Sequence, residues 1–167
     1  SITMMFTALL SAYVYKQSSG NWIYIDIPSS FLYNTLIIVL SSITIQWAQK
    51  SVKNNEAIQA RNLLLVTLFL GISFLIGQYF SWQEMLSNEV YLIDPHSVSG
   101  SFVYILSGLH ALHIIGGVIP LIIVVIKALK NKLNIHNILG LELTLTYWHF
   151  LGILWVYIYV FLLVNQN

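Results

Sequence analysis

Residues 99–126 read SGSFVYILSGLHALHIIGGVIPLIIVVI, a stretch without a single Asp, Glu, Lys or Arg. A transmembrane α-helix needs roughly 20 consecutive, mainly apolar residues to cross a hydrocarbon core of about 30 Å. This stretch exceeds that length and contains no charge that would have to be placed in water. The stretch therefore predicts a membrane-spanning helix, whose surroundings are lipid and not water.

Four further apolar stretches lie on either side of it, at about 1–15, 29–49, 62–83 and 139–164. Every backbone amide in hydrocarbon must be paired within its own segment, and the alternating pattern of barrel strands is not visible. We therefore predict an all-α, polytopic membrane protein with five transmembrane helices in a single domain, residues 1–167. Because Ser1 already lies in the first apolar stretch, we expect the sequence to begin inside that helix.

The composition excludes several classes of protein. Hydrophobic residues make up 57% of the chain and charged residues 8%, whereas about a quarter of a soluble domain is charged. The net charge of +1 comes from seven basic residues spread along the chain, so no patch could neutralise a row of phosphates, and we expect no nucleic-acid partner. Cysteine is absent, which excludes disulfides, thiolate metal sites and iron–sulfur clusters.

The distribution of charge predicts the orientation of the chain. Two connections are basic, and the connection between the third and fourth spans is acidic, so the positive-inside rule places the basic connections in the cytoplasm or the mitochondrial matrix. The N-terminus is then inside and the C-terminus outside, and only Lys16 opposes this arrangement. The basic residues are Lys50, Lys53 and Arg61 in one connection and Lys127, Lys130 and Lys132 in the other; the acidic ones are Glu84, Glu89 and Asp94.

Four polar residues inside the predicted spans are the candidate functional residues, because polar groups are costly in hydrocarbon. His110 and His113 share one helix face, and Glu142 lies on the same face as His149, about 10 Å away along the last span. We predict that all four meet between spans four and five. Three interpretations stay open: a metal site, a haem held between facing helices, or a hydrogen-bonded contact between helices.

Other polar residues favour helix packing over chemistry. No Gly-rich phosphate loop, helical zinc signature or nucleophile paired with a base is visible in the chain. Six polar residues in the second and third spans are predicted to face protein and not lipid: Ser41, Ser42, Thr44, Gln46, Gln78 and Gln83.

Several of these segments resemble the third subunit of the haem–copper terminal oxidases, the family of cytochrome c oxidases and quinol oxidases. Four blocks carry the resemblance, they follow the family's order, and they touch every span but the second. They are Phe6 with Ser11-Ala12-Tyr13; Gln78-Tyr79-Phe80 with Trp82; Gly100-Ser101-Phe102 through Ser107-Gly108-Leu109-His110-Ala111-Leu112-His113 to Gly116; and Glu142 with Tyr147-Trp148-His149-Phe150 and Trp155.

The resemblance implies an accessory subunit in its short, five-helix form. Such a subunit carries no haem or copper itself, packs against the catalytic subunit I, and neighbours subunit II and, in some complexes, subunit IV. It holds phospholipids in a cleft between a group of two helices and a group of three, and it sustains proton uptake while the complex reduces dioxygen to water and pumps protons. No catalytic, cofactor-binding or metal-binding residue is then expected here, and His110, His113, Glu142 and His149 become lipid or interhelix contacts.

Two departures from the family pattern limit what can be carried over. Many members have a membrane-embedded Glu where this chain has Ile2, and an Asp where it has Gly152, so a proton-collecting role is not implied. We expect a cytochrome c oxidase of a bacterial cytoplasmic membrane, with the mitochondrial inner membrane, a quinol oxidase and membership of a respiratory supercomplex as alternatives. A transporter or channel subunit and a membrane cytochrome b are the alternatives from other classes.

Overall fold

The chain folds into helices throughout the part that the structure describes. This computed structural model describes residues 2–18, 29–88, 98–131, 133 and 138–165, and within these ranges it contains no β-strand. The predicted all-α class is therefore confirmed. The helices are α1 (Ile2–Ser18), α2 (Ser30–Lys53), α3 (Ala57–Ser87), α4 (Val98–Leu129) and α5 (Leu139–Val164).

Four of these helices, α2 to α5, are long and apolar enough to cross a membrane. The remaining helix, α1, has 17 residues, and at a rise of 1.5 Å per residue it is about 26 Å long. That length falls short of the roughly 30 Å hydrocarbon core. By length and composition α2 to α5 thus agree with the predicted membrane fold, whereas the span through α1 stays a prediction.

The helices extend beyond the predicted spans at the α2–α3 connection. Only residues 54–56 separate the two helices, and Asn55 makes the reversal with a φ of 61°, a left-handed conformation that Asn tolerates better than most residues. The backbone N–H of Glu56 then donates to the carbonyl of Ser51 at 2.9 Å. Arg61, predicted to lie between the two spans, is on the second turn of α3, because this helix already begins at Ala57.

Helices α2, α3, α4 and α5 pack in that order around a closed ring, with α2 and α3 sharing the largest contact. Helix α1 lies outside the ring, mainly against α4, where the ring of Tyr13 meets those of Phe102 at 5.8 Å and Phe161 at 5.2 Å. A division into groups of two and three helices, which the resemblance implied, is therefore wrong for the described residues. Helices α2 to α5 form a ring because the buried residues of all four pack into one common core.

Two tryptophans of α5 attach that helix to α2. The indole N–H of Trp148 donates to the hydroxyl of Ser41 at 2.8 Å, and that of Trp155 donates to the hydroxyl of Thr35 at 3.1 Å. Both indoles are fully buried. A Cβ added at Gly71 of α3 would lie 2.7 Å from the Trp148 ring, so Gly71 provides the space into which this ring packs.

Hydrogen bonds between side chains also join α3 to α4 and α2 to α3. The indole N–H of Trp82 on α3 donates to the hydroxyl of Ser107 on α4 at 3.0 Å. Between α2 and α3, the hydroxyls of Thr44 and Thr67 lie 2.8 Å apart. Hydrogen bonds between helices contribute, together with close packing, to the association of helices in membrane bundles.

One end of the bundle, here called the basic end, carries most of the positive charge. It holds the end of α2, the start of α3, the end of α4 and the start of α5, whereas at the opposite end Ser30 donates a hydrogen bond to Glu84. Lys132, Glu89 and Asp94 lie outside the described residues. The described basic residues at this end are Lys50, Lys53, Arg61, Lys127 and Lys130.

Candidate functional site

His110 lies in the middle of the bundle, surrounded by aromatic rings. Its own ring centroid is 4.8 Å from that of Trp155, 5.9 Å from Phe74 and 6.4 Å from Phe6. The side chain is fully buried, and neither ring nitrogen has a hydrogen-bond partner among the described residues. His110 therefore packs between α1, α3, α4 and α5.

His113, one turn further along α4, is bonded within its own helix. Its Nδ1 lies 2.6 Å from the carbonyl oxygen of Leu109, and its ring contacts that of Phe6 at 5.8 Å. The hydroxyl of Tyr147 on α5 donates to the backbone carbonyl of His113 at 3.3 Å. The pair of α4 histidines thus contributes to the seam where α1, α4 and α5 meet.

His149 faces a different helix. Its Nε2 lies 2.8 Å from Oε1 of Gln46 on α2. Both side chains reach the outer surface of the bundle, with Gln46 exposed and His149 half-buried. This is a polar contact between α2 and α5, on the side where these two helices meet the surroundings.

Glu142 lies at the basic end and pairs with two α2 side chains. Its Oε1 is 3.2 Å from Nζ of Lys53 and accepts a hydrogen bond from Nε2 of Gln49 at 3.2 Å. The Lys53 and Glu142 side chains are about half and two-fifths exposed, at 53% and 39%. This pair fixes the start of α5 against the end of α2.

The four candidate residues therefore form two separate pairs, and the prediction that all four meet between α4 and α5 is corrected. His110 and His113 face α1 and the interior, whereas His149 and Glu142 face α2. His149 and Glu142 share one face of α5, as predicted, but this face lies against α2. The α5 residue that contacts His110 is Trp155. A helix with apolar residues on all sides gives no sign of which neighbour it meets on which side.

The donor atoms of these residues do not assemble into a metal site. No group of three or more His, Asp or Glu side chains could hold a metal ion within the described ranges, and the chain has no Cys. The arrangement instead provides hydrogen bonds and ring contacts between helices.

Two glutamines have environments that the sequence did not distinguish. Gln78 on α3 is buried, as predicted, and neither atom of its amide has a partner in the part of the chain described. Gln83 was also predicted to face protein, but it is exposed and donates to the hydroxyl of Tyr79 at 3.1 Å. Gln46 is exposed as well and was missed as the partner of His149, since only the packing of α2 against α5 brings them together.

An apolar groove runs between α2 and α5 on the outer surface, with a volume of about 650 Å³. We call it the α2–α5 groove. Its floor is Ser42 and Gly152, and a Cβ added at Gly152 would lie 3.0 Å from the Ser42 hydroxyl. Gly152 thus allows the two helices to approach, and the Gln46–His149 pair forms the polar end of the groove.

Comparisons with known proteins identify relatives for this arrangement. A family model described as cytochrome c oxidase subunit III matches residues 24–165. A protein named cytochrome c oxidase subunit 3 from Spodoptera frugiperda is 31% identical over 77% of this chain and 84% of its own length. One from Paracentrotus lividus is 36% identical over 77% of this chain. A probable cytochrome c oxidase subunit 3 from Mycobacterium tuberculosis is 27% identical over 93% of this chain and 79% of its own length.

The relatives differ in how much of their own length is matched. The alignment with the Paracentrotus lividus protein covers 48% of that protein, and that with the Rhipicephalus sanguineus protein covers 49%. The chain thus spans about half the length of several curated relatives that it matches.

Proposed function

The chain belongs to the cytochrome c oxidase subunit III family, and on this premise we propose that it is a non-catalytic, accessory subunit of a proton-pumping haem–copper oxidase. The observation that carries the proposal is the family match over residues 24–165, which includes all of the α2–α5 ring. In this role the chain supports a catalytic neighbour that carries haem and copper.

The packing of the ring suits a supporting role. Its indoles and hydroxyls make bonds between helices, such as the buried Trp148 with Ser41 and the partly buried Trp82 with Ser107. Such bonds hold the helices in one relative position, and a fixed surface is what a neighbouring subunit needs for stable contact. We assign His110 and His113 to this framework, and His149 with Glu142 to the contact between α2 and α5.

Purification of the tagged chain from native membranes tests the proposal. We expect a haem–copper subunit to copurify, the reduced-minus-oxidised spectrum to show its haems, and the preparation to reduce oxygen with cytochrome c as donor. A haem band on the chain separated from its partners, or recovery without any haem protein, would contradict the accessory role. Activity with a quinol but not with cytochrome c would instead assign the complex to the quinol oxidases.

A comparison of the complex with and without this chain distinguishes a supporting role from a catalytic one. We expect the depleted oxidase to begin turnover with its spectrum unchanged and then to lose activity during turnover faster than the intact complex. The measurement is oxygen uptake followed over time in both preparations. An immediate and complete loss of the initial rate would place this chain in the catalytic machinery.

The orientation of the chain is proposed from its basic end, which we place in the cytoplasm of a bacterium. The mycobacterial relative aligns over 93% of the chain, against 77% for the animal ones, which favours a bacterial membrane. Because the chain has no Cys, single-Cys variants at Asn55 and Ser87 report on opposite ends. We expect a membrane-impermeant maleimide added to intact spheroplasts to label Ser87→Cys only, and labelling of Asn55→Cys alone would reverse the orientation.

Bound phospholipid is the remaining part of the proposal. Large apolar side chains cover the outer faces of α3 and α4, including Phe69, Phe80 and Leu112, each more than 60% exposed, and such faces are suited to acyl chains. We expect lipid extraction from the purified complex and mass spectrometry to recover phospholipid in excess of that in a complex lacking this subunit. Equal amounts in the two complexes would contradict lipid binding by this chain.

A further inference from the structure

Two polar side chains, Gln78 and His110, lie in the interior of the bundle without a partner among the described residues. Gln78 on α3 is 1% exposed, and His110 on α4 is fully buried. Neither atom of the Gln78 amide and neither nitrogen of the His110 ring makes a hydrogen bond within the part of the chain described. By contrast, the buried hydroxyls of Ser41 and Ser107 each accept a hydrogen bond from an indole N–H.

The contacts between α3 and α4 place these two side chains at the same level of the bundle. The indole N–H of Trp82 on α3 donates to the hydroxyl of Ser107 on α4 at 3.0 Å. Earlier on α3, the ring of Phe74 lies 5.9 Å from that of His110, so the two helices run antiparallel. Gln78 is midway between Phe74 and Trp82, one turn from each, and shares their side of α3. Because His110 is one turn beyond Ser107, its imidazole lies at nearly the same level as the Gln78 amide.

The unpaired atoms of the two side chains are of both kinds, donors and acceptors. The oxygen of the Gln78 amide accepts and its nitrogen donates, while a neutral imidazole such as that of His110 has one donating and one accepting nitrogen. A buried donor or acceptor without a partner loses the bonds that it makes with water in the unfolded chain. A molecule that replaces those bonds for both side chains must therefore be able to donate and to accept.

The surroundings of the two side chains favour a small, neutral ligand. The buried residues among those described include no Asp, Glu, Lys or Arg, so an ion in this place would have no opposite charge to balance it. An apolar molecule would leave the four polar atoms unpaired. The rings of Phe6, Phe74 and Trp155 surround His110, with centroids no more than 6.4 Å from its own. A neutral molecule that donates and accepts hydrogen bonds, and is small enough for such a site, is water.

We propose that Gln78 and His110 bind an internal water molecule, which bridges α3 to α4. Buried waters in proteins make about three hydrogen bonds, typically to polar groups that otherwise have no partner. The bridge adds a polar contact between α3 and α4 one turn from the bond of Trp82 to Ser107. This inference goes beyond the proposed function, because it concerns the interior of the chain and needs no other subunit.

Radiolytic labelling of the purified complex tests the water site. An X-ray pulse splits a bound water into a hydroxyl radical that oxidises the side chains beside it, whereas radicals from the bulk solvent do not reach a closed interior. Trp155 and Trp148 are matched probes, because both indoles are fully buried and bonded to a hydroxyl of α2. Trp155 lies beside His110, at 4.8 Å between ring centroids, whereas Trp148 packs over Gly71. We expect mass spectrometry to find Trp155 oxidised and Trp148 unmodified.

Three results would overturn the proposal. Two of them are equal oxidation of Trp155 and Trp148, and oxidation of neither. The third is a high-resolution map of the complex in which the Gln78 amide bonds the His110 ring directly. The comparison of the two tryptophans needs no variant and is read on this chain alone. It therefore gives the same information whether or not a haem protein copurifies, which separates failure of the water site from failure of the proposed function.

Replacement of the two polar side chains by leucine gives an independent measurement. Gln78→Leu or His110→Leu alone leaves the other side chain on one side of a broken bridge. The double replacement removes both, so we expect it to lower the midpoint of thermal unfolding by less than the sum of the two single shifts. It should also abolish the oxidation of Trp155.

The control is Gln78→Leu combined with Gln83→Leu, because Gln83 is exposed and bonds Tyr79 on its own helix. The shifts in this second pair should add, since the two glutamines share no contact. Additive shifts in both pairs, or continued oxidation of Trp155 in the variant that lacks Gln78 and His110, would contradict the bridge.

Discussion

His110 and His149 lie on neighbouring helices inside the bilayer, yet they have opposite surroundings. His110 is fully buried among the rings of Phe6, Phe74 and Trp155 and has no hydrogen-bond partner among the described residues. His149 reaches the outer surface and is bonded to Gln46 across the α2–α5 contact. One histidine of the bundle thus packs among aromatic rings, and the other makes a polar contact between two helices.

The difference shows that burial and hydrogen bonding are separate properties in a membrane bundle. Lipid tails are as apolar as the bundle interior, so an apolar side chain gains little by moving inward, and close packing decides which residues occupy the centre. His110 fits a space bounded by three rings, whereas His149 lies at the outer surface, one turn before the close contact of Gly152 with Ser42. Substitutions that change packing and bonding separately should therefore affect the two histidines differently.

The largest effect is expected for His110→Ala. Truncation leaves a cavity between Phe6, Phe74 and Trp155, and we expect a loss of about 2–4 kcal/mol in the stability of the subunit. Thermal unfolding of the purified complex, followed by release of this chain, measures it. His110→Leu keeps most of the volume and removes two unpaired polar atoms, so it should cost less than about 1.5 kcal/mol. Similar losses for both variants would mean that the imidazole itself is required.

A smaller effect is expected for Trp148→Phe. Phe keeps only part of the packing over Gly71, because the atoms nearest Gly71 are the outer carbons of the indole, and the hydroxyl of Ser41 loses the indole donor. We expect destabilisation by about 1–3 kcal/mol. The control is Trp47→Phe, because Trp47 is exposed on the surface of α2 and has no such bond among the described residues. Equal midpoints of thermal unfolding for the two variants would contradict a role for the Trp148 bond.

His149→Ala should weaken assembly more than it changes the oxidase spectrum. The contact with Gln46 is worth about 0.5–1.5 kcal/mol, and its loss leaves the Gln46 amide without its partner in hydrocarbon. We expect a lower fraction of this chain to be retained on detergent purification, with the haem bands of the partner unchanged. Retention of the variant equal to that of the unchanged protein would show that His149 itself is dispensable.

The smallest effect is expected at the basic end, for Glu142→Gln. The Lys53–Glu142 pair is partly exposed, and ion pairs of this kind contribute about 0.2–1 kcal/mol. Because salt screens exposed charges, the difference in thermal midpoint between Glu142→Gln and the unchanged protein should shrink as the salt concentration rises. A difference that is independent of salt would contradict a contribution from the ion pair, because a glutamine at position 142 can still accept the hydrogen bond from Gln49.

Much of the fold was accessible from the sequence because the bilayer imposes a length and a polarity on each segment. The apolar stretches predicted the positions of α2 to α5 to within a few residues, except at ends such as that of α3, where polar residues continue the helix beyond the hydrocarbon layer. Four motif blocks gave the family, and the family comparison confirmed it. Trp148 and Trp155 belong to one of these blocks, although their bonds to Ser41 and Thr35 could not be derived from it.

The neighbours of each polar side chain were decided by tertiary structure alone. The sequence placed His110 with His113 and Glu142 with His149, because a shared helix face follows from spacing. It did not show that the first pair faces α1 and the interior while the second faces α2, nor that Gln46 completes the second pair. In water a polar face marks the outside of a helix, but these helices are apolar on nearly every side, so only the packing of side chains such as Trp155 and Gly152 sets their rotation.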